Sequence, residues 1–324
     1  MWFGSHLGAS NSSYRPERGF PKVADTREQL IAIGTQLDRL TKLVERIGVN
    51  QKQDAKWRMV FRRQLNALVR RACLTDAELP HPSALSVQRF RLRSQHEEDG
   101  ITLALLRAAG VRHRTFVEIG CGSTGGNSAM LAYELGWSGL MVDASRKAAD
   151  GARQLFQFNP GVRVVKARLE TKTIDAFLAQ EGAAGEVDFM SIDIDSFDYW
   201  LLNAITACTP RVLVMEYNGL FGRDRAVTVP DAPRPPVAPK GYGGASLAAL
   251  EKLARAKGYG LVLCEDAGIN AFFLRDDVAP DIPRLTAAQA FRSQLASYDA
   301  VGDSAKDVDI FAAAADAGLP LVEV

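Results

Sequence analysis

The sequence predicts an α/β fold in which a largely parallel β-sheet carries helices on both faces. Between residues 115 and 216, short apolar and β-branched runs alternate with helical patterns, which is typical of a parallel sheet buried on both sides. Two further strand-like runs, 259–264 and 270–275, are separated by only five residues. Because so short a connection permits only a hairpin, one of these strands must run antiparallel to its neighbours. The prediction is five parallel strands and a terminal β-hairpin.

The segment 115–145 is the centre of this fold. Its pieces are, in order, strand 115–119, a glycine-rich turn, helix 127–135 and strand 139–142. Gly120 and Gly122 allow a backbone turn and a close approach of a ligand that a Cβ atom would block. Asn127 opens the helix, whose free N–H groups would face a ligand above the turn.

Two classes of ligand fit this turn. The GxGxxG spacing at 120–125, with Asp143 18 residues after the last glycine, matches the fingerprint of a dinucleotide site. Glu118 favours the other class, because a carboxylate two residues before the first glycine would repel a pyrophosphate. S-adenosylmethionine carries a cationic amino group and a sulfonium, which a carboxylate attracts. The sequence therefore favours S-adenosylmethionine over a nicotinamide or flavin dinucleotide.

Apolar spacing and capping signals predict the remaining elements. These are helix 146–158, strand 162–167, helix 173–179, strand 187–194, strand 211–216, helix 247–256 behind an N-cap at Ser246, and a helix around 287–298. The Pro- and Gly-rich connection 219–244 shows no element of its own and is typical of a lid.

Polar side chains gather where the fourth and fifth strands end. Asp193 and Asp195 follow the fourth strand, and Glu216 and Asn218 follow the fifth. The carboxyl ends of parallel strands share one edge of the sheet, and ligands bind at that edge. Asp193 and Asp195 are therefore the predicted general base or substrate-positioning groups, and Glu216 and Asn218 the predicted substrate-binding groups.

Two alternatives stay open for these groups. Mg²⁺ or Ca²⁺ takes such oxygen donors, and a metal held by Asp193 and Asn218 could lower the pKa of an acceptor hydroxyl. In the other alternative, Asp195 and Asp198 only cap the helix that starts near residue 197.

The net charge of +1 conceals an asymmetry along the chain. Residues 1–93 hold 17 basic and 8 acidic side chains, whereas the remainder holds 22 and 30. Residues 1–24 read as a flexible arm, and 25–93 as a basic helical or coiled-coil extension with a short apolar seam over 30–68. The seam could pair two subunits or fold back on the body, and the basic residues could contact an anionic surface or partner. Sparse aromatic side chains argue against nucleic acid.

Composition and cysteine usage bound the remaining classes. A chain that is 47% hydrophobic and 24% charged can form a core, here assigned to a catalytic domain, 94–280, followed by a C-terminal helix and tail, 281–324. The four cysteines form no CxxC pair, which indicates neither a zinc site nor a disulfide framework and favours a reducing cytoplasm. No secretory signal or membrane-spanning apolar run is found. The predicted location is cytoplasmic.

Six short motifs occur in a fixed order along the body. They are SQHEEDG at 94–100, FVEIGCG at 116–122, GWSGLMVD at 136–143, TIDAF at 173–177, DFMSIDID at 188–195 and VLVME at 212–216. This series resembles the FkbM-like class I S-adenosylmethionine-dependent methyltransferases over about residues 94–275. The resemblance implies their Rossmann-like sheet and cofactor. Members commonly methylate hydroxyls of sugars, polyketides or other secondary metabolites, so O-methylation is implied as well.

The resemblance also implies which residues hold the cofactor. They are Glu118, Gly120 and Gly122 on its methionine side, Asp143 at its ribose hydroxyls, and Gln95 and Asp99 nearby. Two positions depart from the relatives. Ser196 follows Asp195 where the family usually has glycine, and Tyr217 precedes Asn218 where metal-dependent catechol-type O-methyltransferases have Asp. The second departure argues against a metal.

The predicted function is S-adenosylmethionine-dependent O-methylation of a hydroxyl on a sugar, a glycoconjugate precursor or a secondary metabolite. One alternative is a nicotinamide- or flavin-dependent oxidoreductase that uses the GxGxxG turn. Another is a non-catalytic interaction protein that works through its basic helices.

Overall fold

The computed structural model describes residues 89–232, 235–236, 238–293 and 309–324. The predicted arm 1–24 and the predicted apolar seam 30–68 lie outside these ranges and stay predictions. None of the helices in the described ranges has the length and apolar character needed to cross a membrane.

A seven-stranded sheet forms the centre of the body. The strands among the described residues are β1 (Thr115–Ile119), β2 (Ser138–Asp143), β3 (Val162–Lys166), β4 (Gly185–Ile192), β5 (Cys208–Glu216), β6 (Val227–Thr228), β7 (Tyr259–Cys264), β8 (Asn270–Arg275) and β9 (Val322–Glu323). The large sheet has the order β3-β2-β1-β4-β5-β8-β7. Its first five strands are parallel, and β8 runs antiparallel to both β5 and β7. The predicted fold class is therefore confirmed, including the bounds of both hairpin strands.

Helices connect the strands and cover both faces of the sheet. Those in the described residues are α1 (Glu98–Ala109), α2 (Ala129–Tyr133), α3 (Arg146–Phe156), α4 (Ile174–Gln180), α5 (Asp198–Ala204), α6 (Leu247–Ala256), α7 (Ala287–Ala290) and α8 (Ile310–Asp316). The predicted cap of α6 is confirmed, since the Ser246 hydroxyl accepts the Ala249 N–H at 3.1 Å. Strand β4 buries six consecutive residues, 187–192, as expected between two covered faces.

The strand order creates a crevice between β1 and β4. From β1 the chain builds β2 and β3 on one side and then crosses to β4 on the other side. The connections therefore diverge at the carboxyl ends of β1 and β4. In open α/β sheets, ligands bind at such a switch point.

The predicted helix 127–135 is wrong at both ends. The structure has a 3-10 turn, Gly126–Ser128, followed by the five-residue helix α2. Gly125 and Gly126 have φ values of 94° and 56°, which an α-helix does not permit. Gly136, with φ of 67°, ends the segment. Helical apolar spacing could not reveal these left-handed positions.

Two other helices end earlier than predicted. The helix predicted over 146–158 ends at Phe156, and Asn159 then donates two side-chain hydrogen bonds to other segments of the body. The helix predicted over 287–298 ends at Ala290, because Phe291 adopts ψ of 133° and Arg292 turns to donate its N–H to the Tyr217 hydroxyl. Residues 294–298 lie outside the described ranges.

The prediction that 219–244 has no element of its own is wrong. This connection contains a 3-10 turn, Gly219–Phe221, and strand β6. Strand β6 pairs antiparallel with β9 near the C-terminus. The connection and the C-terminal tail are therefore built together.

Candidate active site

A cavity of about 540 Å³ lies at the carboxyl ends of the first four strands. Each strand supplies a lining residue at or just past its end: Gly120 after β1, Asp143 of β2, Arg168 after β3 and Asp193 after β4. The cavity occupies the crevice that the topology assigns to ligands. Its volume falls in the range of about 300–1,000 Å³ that is usual for small-molecule sites.

The glycine turn requires Gly120 for packing and leaves room beside Gly122. Gly120 has φ of 90°, and an added Cβ would lie 1.5 Å from the carbonyl oxygen of Asp193. Gly122 has φ of 55°, but an added Cβ would meet no atom within 4 Å. The first glycine therefore lets the ends of β1 and β4 approach each other, and the second leaves open space at the cavity.

Asp143 is held in place by two backbone amides. Its Oδ2 accepts the Gly122 N–H at 2.9 Å, and its Oδ1 accepts the Ser145 N–H at 2.7 Å. These bonds fix the carboxylate at the end of β2, where it lines the cavity. Carboxylate oxygens have further lone pairs, so Asp143 can still accept hydrogen bonds from a ligand.

Glu118 is buried beneath the 3-10 turn and does not line the cavity. One carboxylate oxygen accepts the Asn127 N–H at 3.2 Å, and the other accepts the Ser128 N–H at 2.9 Å and the Ser128 hydroxyl at 2.5 Å. A Cβ at Gly126 would lie 2.1 Å from the first oxygen. Burial raises the pKa of Glu118 to about 8, although these hydrogen bonds oppose the shift. The Glu118 side chain thus links β1 to the 3-10 turn by hydrogen bonds.

Asn127 belongs to a buried polar network under the turn. Its amide group donates to the Ser191 hydroxyl at 3.1 Å and to the Asn270 side-chain oxygen at 3.4 Å. Asn270 in turn donates to Glu98 at 3.1 Å. This network joins the glycine turn to β4, β8 and α1.

The segment before α1 is organised by Asp99. Its Oδ2 accepts the N–H groups of three successive residues, 92–94, at 2.6, 2.6 and 3.0 Å. Burial raises the pKa of Asp99 in spite of these bonds. Its Oδ1 and the Nε2 of His96 are buried without a hydrogen-bond partner among the described residues. Gln95 is exposed in the turn that Asp99 folds.

Three carboxyl groups meet at the ends of β4 and β5. Oxygens of Asp193, Asp195 and Glu216 all lie within 4.8 Å of one another. Burial, with a smaller contribution from nearby carboxylates, raises the pKa of Asp193 to about 7. Burial and the adjacent charge of Asp193 raise the pKa of Glu216 well above its usual value. The pair therefore keeps one proton near neutral pH, with Glu216 donating to Asp193.

Asp198 closes the turn that carries Asp195. It is fully buried, and its two oxygens accept the N–H groups of Ile194 at 2.7 Å and Ser196 at 3.0 Å. Burial raises its pKa to about 6. Asp195 itself is exposed and has φ of 56°, a conformation that non-glycine residues rarely adopt. The left-handed residue is thus Asp195, one position before the Ser196 that replaces the relatives' glycine.

The side chain of Asn218 forms hydrogen bonds with the backbone of the connection 219–244. Its amide group donates to the carbonyl oxygens of Gly241 and Gly243 at 2.7 and 2.8 Å. Its side-chain oxygen accepts the Leu220 N–H at 3.0 Å. The side chain therefore positions backbone near the acidic cluster.

A comparison with family models decides the family. The model of the methyltransferase FkbM domain matches residues 32–259, which is more than half of the chain. The chain belongs to the FkbM methyltransferase family. The resemblance inferred from the sequence motifs is thereby confirmed, and the protein is an S-adenosylmethionine-dependent methyltransferase. Family membership sets aside the oxidoreductase alternative.

Solved structures of other methyltransferases are also similar to this FkbM-family chain. An S-adenosylmethionine-dependent methyltransferase from Aquifex aeolicus is 14% identical, with a TM-score of 0.36 over 60% of this chain and 98% of that one. The N-terminal domain of EvdMO1, solved with S-adenosylhomocysteine bound, is 16% identical, with a TM-score of 0.38 over 56% and 81%. A ribosomal protein L11 methylase from Lactobacillus delbrueckii subsp. bulgaricus is 18% identical, with a TM-score of 0.36 over 56% and 80%. No curated protein matches.

Sequence reasoning missed several residues of this FkbM-family site. Arg168 and Ala144 line the cavity directly after β3 and β2, where the argument that selected Asp143 would also have found them. Ser191 and Asn270 hold Asn127 from within β4 and β8. Those two carry no signal in the sequence, because only the pairing of distant strands brings them under the turn.

Proposed function

We propose that this methyltransferase transfers a methyl group to a hydroxyl of a sugar, a glycoconjugate precursor or a secondary metabolite, with Asp193 as general base. The observation that carries the proposal is the position and pKa of Asp193. It lines the cavity beside the glycine turn, and its pKa is about 7. A general base works best when its pKa lies near the working pH, because it is then both deprotonated and basic enough to accept a proton.

The cavity suits S-adenosylmethionine in shape and charge. When bound, the cofactor supplies a methyl group on a positively charged sulfur. Asp143 is oriented to accept hydrogen bonds from ribose hydroxyls, and the open space beside Gly122 admits a ligand close to the backbone. Asp193 and Asp195 give the lining an acidic character that favours a cation. Glu118 and Asn127 support the glycine turn from its buried side, and the predicted cofactor contacts of Gln95 and Asp99 stay predictions.

The acidic cluster can receive the proton of an acceptor hydroxyl. Asp193 accepts that proton, while Glu216 donates its own hydrogen bond to Asp193 and keeps the carboxylate oriented. Asp195, exposed at the mouth of the cavity, is placed to accept a hydrogen bond from a second hydroxyl of the acceptor. Positioning and deprotonation are what the protein contributes to the transfer.

In the alternative mechanism, the same three carboxylates bind a magnesium ion. Asp193, Asp195 and Glu216 offer hard oxygen donors within 4.8 Å of one another, which fits Mg²⁺ chemistry. Asn218, the other metal ligand that the sequence suggested, already accepts the Leu220 N–H with its side-chain oxygen and would have to bind a metal through the second lone pair of that oxygen. Transfer that persists in EDTA supports the direct base, and transfer restored only by added Mg²⁺ supports the metal.

Calorimetric titration tests the cofactor site first. Wild-type protein is titrated with S-adenosylmethionine, S-adenosylhomocysteine and NAD, alongside Asp143→Ala and the matched control Asp150→Ala, an exposed acid on α3. We expect binding of the two sulfur compounds only, weakened about tenfold or more by Asp143→Ala because a charged hydrogen-bond acceptor is lost. No binding by folded wild-type protein would contradict the proposal. A labelled-methyl assay against a panel of hydroxylated acceptors then tests O-methylation.

A further inference from the structure

The C-terminal residues 309–324, here called the strap, pack on the connection 219–244. The rings of Phe311 in the strap and Phe221 in the connection have centroids 5.9 Å apart. A separate apolar cluster joins the two segments, consisting of Phe221, Val227, Val229, Tyr242, Ile310 and Ala314. The connection is therefore held by the strap through side chains as well as through the pairing of β6 with β9.

Tyr242 makes the polar link that brings this packing toward the active site. Its side chain is 3% exposed, and its hydroxyl donates to the carbonyl oxygen of Pro320 in the strap at 2.7 Å. At the end of the strap, the Val324 N–H donates to the carbonyl oxygen of Ala226 at 2.9 Å. Tyr242 stands within residues 241–244, here called the lid segment.

The lid segment rests on the turn that carries Asp195. The Gly244 N–H donates to the carbonyl oxygen of Ser196 at 2.7 Å. A Cβ at Gly243 would lie 2.6 Å from the carbonyl oxygen of Asp195, so only glycine allows this approach. Asn218 fixes the same segment from the end of β5. The lid segment thus contacts the strap on one side and the ends of β4 and β5 on the other.

We propose that the strap is a positioning part of the acceptor side of the active site. Through Tyr242 and the apolar cluster, it holds the lid segment against Asp195 and Ser196, and so sets where the Asp195 carboxylate stands beside Asp193 and Glu216. The left-handed backbone at Asp195 benefits from such support, because a non-glycine residue is strained in that conformation. The role assigned to Asp195 rests on the proposed function, whereas the coupling of strap to turn does not.

Hydrogen exchange followed by mass spectrometry tests the coupling in the full-length chain. Tyr242→Phe removes only the hydroxyl that reaches Pro320, and Phe311→Ala removes one ring of the aromatic contact. We expect amide exchange in peptides covering 193–197 and 241–245 to accelerate about fivefold in each variant. Loss of one buried hydrogen bond, or of a comparable apolar contact, shifts the local opening equilibrium by about this factor. Exchange over the glycine turn, 119–123, and the affinity for S-adenosylhomocysteine should stay unchanged.

Two further variants separate positioning from general destabilisation. Phe158→Ala removes a ring whose centroid lies 4.6 Å from that of Tyr133. Neither residue belongs to the strap, so this variant should leave exchange in 193–197 unaltered. Phe311→Leu retains an apolar side chain and should restore slow exchange. The proposal is overturned if Tyr242→Phe and Phe311→Ala leave exchange in 193–197 unchanged, or if they accelerate it equally over 119–123. If wild-type protein does not bind S-adenosylhomocysteine, only the proposed function is contradicted. The exchange comparison would still test the coupling of the strap to the turn.

Discussion

Asp193 and Glu216 show how burial assigns different tasks to two carboxyl groups. Both lie at strand ends and are largely removed from water, which disfavours a second negative charge, so one of them keeps a proton. Glu216 is the better proton holder, because the charge of Asp193 stands next to it and it donates the shared hydrogen bond. Asp193 is left as the group that can accept a proton near neutral pH.

Replacing Asp193 tests this assignment. We expect Asp193→Asn to lower kcat/KM for methyl transfer by about 100-fold or more, because a general base is lost while shape is kept. In the wild type, transfer should rise as pH increases through about 7, since Asp193 must be deprotonated to act. The variant should lose this rise. Transfer assays from pH 5 to 9 measure both effects, with Asp150→Asn on α3 as control. A variant with wild-type activity would exclude Asp193 as the base.

Glu216→Ala should raise the pKa of Asp193, whereas Glu216→Gln should leave it close to the wild-type value. The hydrogen bond that Glu216 donates lowers the pKa of Asp193; alanine removes that donor and glutamine retains one. The expected result is a rise in transfer rate that begins at higher pH in Glu216→Ala only. Carboxyl carbon chemical shifts of labelled aspartate, followed as a function of pH, measure the pKa directly. A downward shift in Glu216→Ala would show that Glu216 is ionised and does not hold the shared proton.

At the residue scale, the sequence predicted which side chains meet but not what each one does. Asp193, Asp195 and Glu216 come together because strand ends in a parallel sheet share one edge, which is a rule of topology. Glu118 obeys the same rule for position, yet its oxygens turn down to the amides of Asn127 and Ser128. The direction of a side chain depends on local backbone angles, which composition and spacing do not contain.

At the scale of elements, the glycine turn gives a matched pair of substitutions. Gly120→Ala should prevent correct folding of the turn, because its Cβ would overlap the Asp193 carbonyl oxygen. Gly122→Ala meets no atom, so it should cost only the roughly 1–2 kcal/mol of a left-handed alanine and leave the protein folded. Thermal unfolding measures the difference. If the open space beside Gly122 is where the cofactor binds, Gly122→Ala should also weaken S-adenosylhomocysteine binding, and unchanged affinity would contradict that placement.

Strands were easier to predict than the segments that connect them. The hairpin strands β7 and β8 have the predicted bounds because apolar β-rich runs with short separations specify local pairing. The pairing of β6 with β9 escaped prediction, since each strand is two residues long and the partners are far apart in the sequence. Their pairing is accompanied by the apolar cluster around Phe221 and Tyr242, whose members also come from segments far apart in the sequence.

At the scale of the whole molecule, the active site concentrates buried acids at one edge of the sheet. Glu118, Asp193 and Asp198 have pKa values raised to about 8, 7 and 6, in each case mainly through burial. Such groups stabilise the fold while they are protonated and destabilise it once they must ionise in place. This group of buried acids therefore costs stability at alkaline pH.

The free energy of unfolding should accordingly fall between pH 5 and pH 8. The folded-state pKa values of these acids lie above their unfolded values near 4, so the stability they confer is complete below pH 4 and lost as pH rises through 6 to 8. We expect urea unfolding of the wild type to give a lower free energy of unfolding at pH 8 than at pH 5. Glu216→Gln should show a smaller decrease, because one raised acid is gone, whereas Asp277→Asn, at a surface acid whose pKa is lowered by Arg275, should not. Equal stability at both pH values, or an undiminished decrease in Glu216→Gln, would mean that the cluster ionises without strain and that the shared proton is absent.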